Sequence, residues 1–156
     1  MGVSGSGKTA FGTALAKELN WVFADADDYH PASNVQKMAG GEALTDADRQ
    51  PWLLRLRVLI EQHLLERRPL VLACSALKAS YRETLTANLE GVKVVFLNGS
   101  RELIAQRLKT RQHFMPAILL ESQLTTLEPP EDAIVLDVGQ SIEVLVREVM
   151  TELKLD

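Results

Sequence analysis

Gly2-Val3-Ser4-Gly5-Ser6-Gly7-Lys8-Thr9 has the residue types and spacing to hold a polyphosphate, fitting G-x-x-x-x-G-K-[ST]. The spelling has a chemical reason. Several backbone N–H groups must turn into one concave loop, and glycine permits the backbone angles and close approach this needs. A helix starting where the loop ends adds a field that favours negative charge. In such a loop the Lys8 ammonium reaches the β- and γ-phosphates of a nucleoside triphosphate, and the Thr9 hydroxyl ligates Mg²⁺. Gly/Ser-rich stretches can also be plain linkers. Here Phe11, Leu15 and Leu19 follow at once on one helical face, the context the motif requires. Met1 to Ser6 also fits an acylation pattern at Gly2, but a lipid there would fill the space phosphates need.

A second cluster is Asp25-Ala26-Asp27-Asp28-Tyr29-His30-Pro31, directly after the apolar Trp21-Val22-Phe23-Ala24. Carboxylates at the C-terminal end of a strand lie where α/β folds place their chemistry. Strand alternation sends Asp25 and Asp27 to one side. One suits Mg²⁺ through water; the other could orient or deprotonate a substrate hydroxyl. The same letters also fit a solvated acidic turn before a helix at Pro31. His30 fits a surface turn or a substrate contact. Arg49, just before Pro51, fits a solvated arginine or an anion contact. Lys78 and Arg82 sit one helical turn apart after the apolar run Pro69 to Cys74, as a basic flank or an anion site. Cys74 has no local base and reads as a small core residue.

The elements that must carry these residues alternate. Four apolar runs, at 21–24, 69–74, 92–97 and 133–136, read as strands separated by helical periodicity. That pattern predicts an α/β domain with a parallel sheet spanning residues 1–156. A phosphate-binding loop follows a buried strand, yet only Met1 precedes Gly2. That spacing predicts a natural start several residues upstream of Met1. Thr45-Asp46-Ala47-Asp48 predicts a capped helix start, and Pro51 predicts a kink or fresh start one turn later. Arg107, Lys109 and Arg111 end one helix, and His113-Phe114-Met115-Pro116 leads into an amphipathic stretch. Residues 109–130 therefore read as a lid or as a surface helical hairpin. Seventeen basic against twenty-one acidic residues give a net charge of −4, no footprint for nucleic acid. No apolar run approaches a membrane span and no leader pattern is present. A single cysteine suits a reducing cytoplasm.

Several stretches together resemble the gluconokinases of the small P-loop type, relatives of shikimate kinase. They are Met1 to Lys8, Asp25 to Pro31, Asp48-Arg49-Gln50-Pro51-Trp52-Leu53, Ala73 to Lys78 with Tyr81-Arg82, His113 to Pro116, and Ser122-Gln123 with Thr126-Leu127-Glu128-Pro129. The resemblance implies a three-layer P-loop fold with sheet order 2-3-1-4-5, a mobile lid and a homodimer. It implies ATP-dependent phosphorylation of D-gluconate at its 6-hydroxyl. It assigns the nucleotide to Gly2, Val3, Ser4, Gly5, Ser6, Gly7, Lys8 and Thr9, and Mg²⁺ to Thr9 with Asp25. Lys8 and Asp27 become the catalytic pair. Asp27, His30, Arg49, Lys78, Arg82 and His113 would surround the sugar acid. Arg111 would meet the phosphates from the lid. The family carries a glycine just before the lid histidine and one more residue in between, so Arg107 or Lys109 could serve instead. A kinase for another small acceptor and a non-catalytic ATP-binding regulator are the competing readings.

Overall fold

The computed structural model describes residues 1–110 and 117–155. Helix α1 (Lys8–Leu19) leaves the phosphate loop, and Asn20 ends it in the left-handed conformation. Strand β1 (Val22–Asp25) runs into a 3₁₀ turn (Ala26–Tyr29), then α2 (Ala32–Ala39), α3 (Asp46–Leu65), β2 (Leu70–Ala73) and α4 (Ala79–Thr86). After these come β3 (Val95–Asn98), α5 (Arg101–Thr110), α6 (Ala117–Thr126), β4 (Ile134–Asp137) and α7 (Ile142–Glu152). The alternation read from the sequence is present, with strand ends shifted by one residue in most cases and by three at the start of β3.

The strands form two parallel pairs. Val22 aligns with Leu70 and Asp25 with Ala73 in one, Val95 with Ile134 and Asn98 with Asp137 in the other. Met1 lies between the pairs. Its α-amine donates to Val95 O, its carbonyl accepts from Leu97 N, and Gly2 N donates to Ser75 O. The amine is buried, which pulls its pKa down to about 5, with the Lys8 charge pushing the same way. Beside Met1, an apolar cavity of about 580 Å³ separates β2 from β3, lined by Phe11, Leu15, Val71, Val95, Leu97 and Val149 among others. The expected single sheet is thus seen as two half-sheets, because little but Met1 and Gly2 joins the facing edges of β2 and β3 by hydrogen bonds.

Pro51 does not break its helix, contrary to the sequence expectation. Helix α3 continues through it for 20 residues. Pro51 removes one N–H from the ladder, but both sides are anchored. Thr45 and Asp48 make a reciprocal capping box ahead of it, and Trp52, Leu53 and Leu56 are almost fully buried just after it.

Three clusters form the core. Trp52, Leu53, Leu56, Tyr81 and Leu85 join α3 to α4. Phe11, Leu15, Leu136, Leu145 and Val149 join α1, β4 and α7. Val3, Leu77, Ile104, Leu108 and Leu120 form a smaller one under the phosphate loop. That third cluster braces the loop from below, so the loop's shape depends on α5 and α6. Among the described residues no helix is long and apolar enough to cross a membrane.

Candidate active site

The loop has the conformation its glycines allow. Gly2, Gly5 and Gly7 have φ of +152°, +84° and +93°, values that favour glycine over L side chains. A methyl group on Gly5 would come within 2.9 Å of the Leu108 side chain, so that glycine is also required by packing. Gly7 leads directly into α1, placing the helix N-terminus at the loop. Around Gly7 the neighbour is Arg107, whose Nη1 lies 3.9 Å from where a Cβ would sit. Its Nη2 is anchored on Val138 O. The structure thus brings Arg107 to the loop. Arg111 and His113 lie outside the described residues.

Lys8 and Thr9 begin α1. Lys8 Nζ donates to Val3 O at 3.0 Å, folding over the loop. Thr9 Oγ1 donates to Asp25 Oδ2 at 2.8 Å, and the other oxygen of Asp25 accepts from Asp27 N at 3.0 Å. Asp25 therefore caps the 3₁₀ turn that presents Asp27. Thr9 and Asp25 supply hard oxygen donors side by side. Mg²⁺ takes one or two such protein oxygens beside phosphate and water, so the residues present fit that ion.

Partial desolvation raises the Asp27 pKa above the ordinary carboxylate value, although the side chain stays in reach of solvent, and the Asp25 charge adds to the rise; Lys8 and His30 oppose it. The turn is held by Trp52, whose indole Nε1 donates to Ala26 O at 2.7 Å. The His30 ring stacks on Trp52 with centroids 4.3 Å apart. Asn34 Nδ2 donates to His30 Nδ1 and to Asp48 O. Burial lowers the His30 pKa and the Arg49 charge lowers it further, against the pull of Asp27. His30 is thus placed between the carboxylate turn and α3, held by Trp52 and Asn34.

Arg49 and Lys78 meet over one aromatic ring. The guanidinium carbon of Arg49 is 5.7 Å, and Lys78 Nζ 5.5 Å, from the Tyr81 ring centroid. Lys78 is paired with Asp46, at 3.0 Å to Oδ2, and the Tyr81 hydroxyl donates to Asp46 Oδ1. Arg82 behaves differently. Its Nη1 donates to Ala76 O and Leu77 O at 2.9 and 3.1 Å, so this nitrogen holds the loop that carries Lys78. Sequence reasoning missed Asp46, Tyr81 and Trp52 as members of the site. Asp46 reads in the sequence only as part of a helix cap, and Tyr81 carries no motif that gives it a role. The i,i+3 spacing of Lys78, the residue that precedes α4, and Tyr81 in its first turn is the available signal for the latter.

A phosphate-binding loop feeding a helix, a hydroxyl–carboxylate pair beside it and parallel strands with flanking helices define a P-loop kinase. Residues 4–133 match the family model described as Shikimate kinase. A probable gluconokinase of Xenopus tropicalis is 45% identical, over 97% of this chain and 90% of its own length. The gluconokinase of Gluconobacter oxydans is 48% identical over 85% of this chain and 75% of its own. A solved gluconokinase from Sinorhizobium meliloti superposes with a TM-score of 0.86 at 43% identity, covering 99% of this chain and 89% of that one. The chain belongs to the gluconokinase family.

Proposed function

We propose that this chain transfers the γ-phosphoryl group of ATP to the 6-hydroxyl of D-gluconate, giving 6-phospho-D-gluconate and ADP. The observation that carries this reading is the line of groups running from Lys8 through Asp27 and His30 to Arg49 and Lys78. Lys8 folds over the loop beside Thr9, Thr9 bonds Asp25, which caps the turn of Asp27, Asn34 joins His30 to Asp48 next to Arg49, and Arg49 and Lys78 share the Tyr81 ring. One end suits a polyphosphate, the middle a hydroxyl, and the far end a carboxylate. That is the layout of an acceptor with an anionic head and a reactive alcohol at the other end of its chain.

The loop N–H groups and Lys8 bind the phosphates, with Arg107 beside Gly7 adding positive charge. Asp27 orients the 6-hydroxyl and takes its proton as the oxygen attacks the γ-phosphorus. The bond from that phosphorus to the bridging oxygen of ADP breaks, and the electron pair leaves with ADP. A raised pKa makes Asp27 a stronger base than an ordinary aspartate. Thr9 and Asp25 would hold Mg²⁺, which when bound neutralises charge on the β- and γ-phosphates. Arg49 and Lys78 hold the carboxylate of the acceptor, and Arg82 keeps the Lys78 loop in place. A homodimer would cover the exposed Leu54, Val58 and Leu65 of α3, which are 50%, 61% and 86% accessible.

The test is ATP consumption with Mg²⁺ and D-gluconate, beside shikimate and AMP as alternative acceptors. Turnover with gluconate is expected. Turnover with another acceptor and none with gluconate would overturn the assignment, and ATP binding without product under any acceptor would favour a regulator.

A further inference from the structure

Two side chains on and just after α6 take no part in the scheme above, yet they bond to both halves of the site. Gln123 reaches the phosphate loop. Its Oε1 accepts from Ser4 N at 2.7 Å, and its Nε2 donates to Ser4 Oγ at 3.2 Å. Glu128 reaches the acceptor side. Its backbone N–H donates to Leu77 O at 2.9 Å, and its Oε2 accepts from Ala79 N. Leu77 and Ala79 flank Lys78, so Glu128 brackets the cation from both sides in sequence. The link between the two ends is short and stiff: Leu127 N donates to Gln123 O, continuing the last turn of the helix. Leu120, Leu124 and Leu127 seat this stretch on the cluster that holds Val3 and Leu77.

We infer that Gln123 and Glu128 are positioning residues, the two ends of a strut that sets the separation between the phosphate loop and the Lys78 loop. The inference rests on the proposed phosphoryl transfer, because the separation matters only if one loop holds the donor and the other the acceptor. The physical reason is geometric. The attacking oxygen must lie roughly 3–3.5 Å from the phosphorus and in line with the breaking bond. The phosphorus is fixed by the phosphate loop, and the anionic end of the acceptor by Lys78. Gly2 N already ties the base of the phosphate loop to Ser75 O; Gln123 and Glu128 add a second tie, at Ser4 and on either side of Lys78. Helix packing alone would let the loops shift by fractions of an ångström. Paired hydrogen bonds at each end do not.

The experiment is steady-state kinetics on the full chain with Gln123→Ala, Glu128→Ala, the double variant and Glu128→Gln, each with a thermal melt. The expected result is a fall in kcat of about tenfold to a hundredfold for each alanine variant, the size of a misplacement near 1 Å. Both KM values should stay within about threefold, because neither substituted side chain is itself assigned to ATP or to the acceptor. The double variant should cost no more than the worse single one, since cutting either end releases the same strut. Glu128→Gln keeps an acceptor oxygen for Ala79 N and should restore most of the kcat. Glu128 is exposed, so its variants test the idea even if Gln123→Ala melts early. Additive effects, an unchanged kcat, or a loss carried by the KM for ATP would each overturn the strut. Should the wild-type chain turn over an acceptor other than gluconate, the proposed acceptor fails and the same split is read with the acceptor found.

Discussion

Thr9 Oγ1 donates a hydrogen bond to Asp25 Oδ2 across 2.8 Å, joining the first turn of α1 to the end of β1. The phosphate-loop hydroxyl and the strand-end carboxylate are thus in direct contact. Asp25 is also the cap of the turn that presents Asp27. One carboxylate therefore sets the position of the proposed metal donor and of the proposed base.

Asp25→Asn keeps the side-chain shape but removes the charge that would hold Mg²⁺. The Mg²⁺ concentration for half-maximal turnover should rise by about tenfold to a hundredfold, in the range seen when support around a metal is removed. Titrating Mg²⁺ at saturating ATP and acceptor measures it. An unchanged half-saturation point would take Asp25 out of the metal site.

Asp27 makes opposite demands on stability and on activity. Its folded pKa is raised by burial and by Asp25, so the native state keeps its proton to higher pH than the unfolded chain. Stability therefore falls as pH rises from the unfolded value of 3.8 through the folded one, and at neutral pH the partly desolvated charge beside Asp25 is a cost. Asp27→Asn should melt higher than wild type at pH 7, with the difference vanishing near pH 3. Its kcat should fall by about 10²–10⁴, the usual worth of general-base catalysis. Melting curves and kcat across that pH range test both halves, and a lower melting temperature at neutral pH would contradict the first.

The parts of the site that could be read from the sequence are those made by neighbours along the chain. The phosphate loop, Thr9, Asp25 and Asp27 belong to one strand–turn–helix pattern, and local spacing carries that information. Arg49, Lys78 and His30 were legible as residue types with two readings each. What joins them is the docking of α3 on α4 through Trp52, Leu56, Tyr81 and Leu85, which no short-range pattern records. Asp46 illustrates the point. Its sequence context is a helix start, yet its hydrogen-bond partners lie 32 and 35 residues away. Pro51 failed as a stop signal for the same reason, because burial on its far side outweighed one missing ladder bond.

Asp46 now occupies the cation that the acceptor carboxylate would need. Its pKa is lowered first by the Tyr81 hydroxyl and then by Lys78, so it is ionised at neutral pH and competes for Lys78. Asp46→Asn leaves an oxygen for the Tyr81 hydroxyl but removes the competing charge. The KM for gluconate should fall by about twofold to fivefold, as expected for displacing an exposed ion pair, with the KM for ATP unchanged. A rise in the gluconate KM would mean instead that Asp46 contacts the sugar acid directly.

Two glycines of the phosphate loop separate packing from conformation. Gly5 and Gly7 have nearly equal φ, +84° and +93°, so alanine at either position meets a similar backbone penalty of about 1–2 kcal/mol. The surroundings differ. A Cβ at Gly5 would sit 2.9 Å from Leu108 Cγ and 3.2 Å from Ile104 Cγ2, both buried, whereas at Gly7 nothing lies closer than Arg107 Nη1 at 3.9 Å. Gly5→Ala must therefore also displace the small cluster beneath the loop, at a further cost of about 1–3 kcal/mol. Urea unfolding should show Gly5→Ala as the less stable of the two by that margin. ATP affinity should fall in both, because each variant changes the direction of a loop N–H. Equal stabilities would mean that Leu108 and Ile104 repack freely and that the loop is not braced from below.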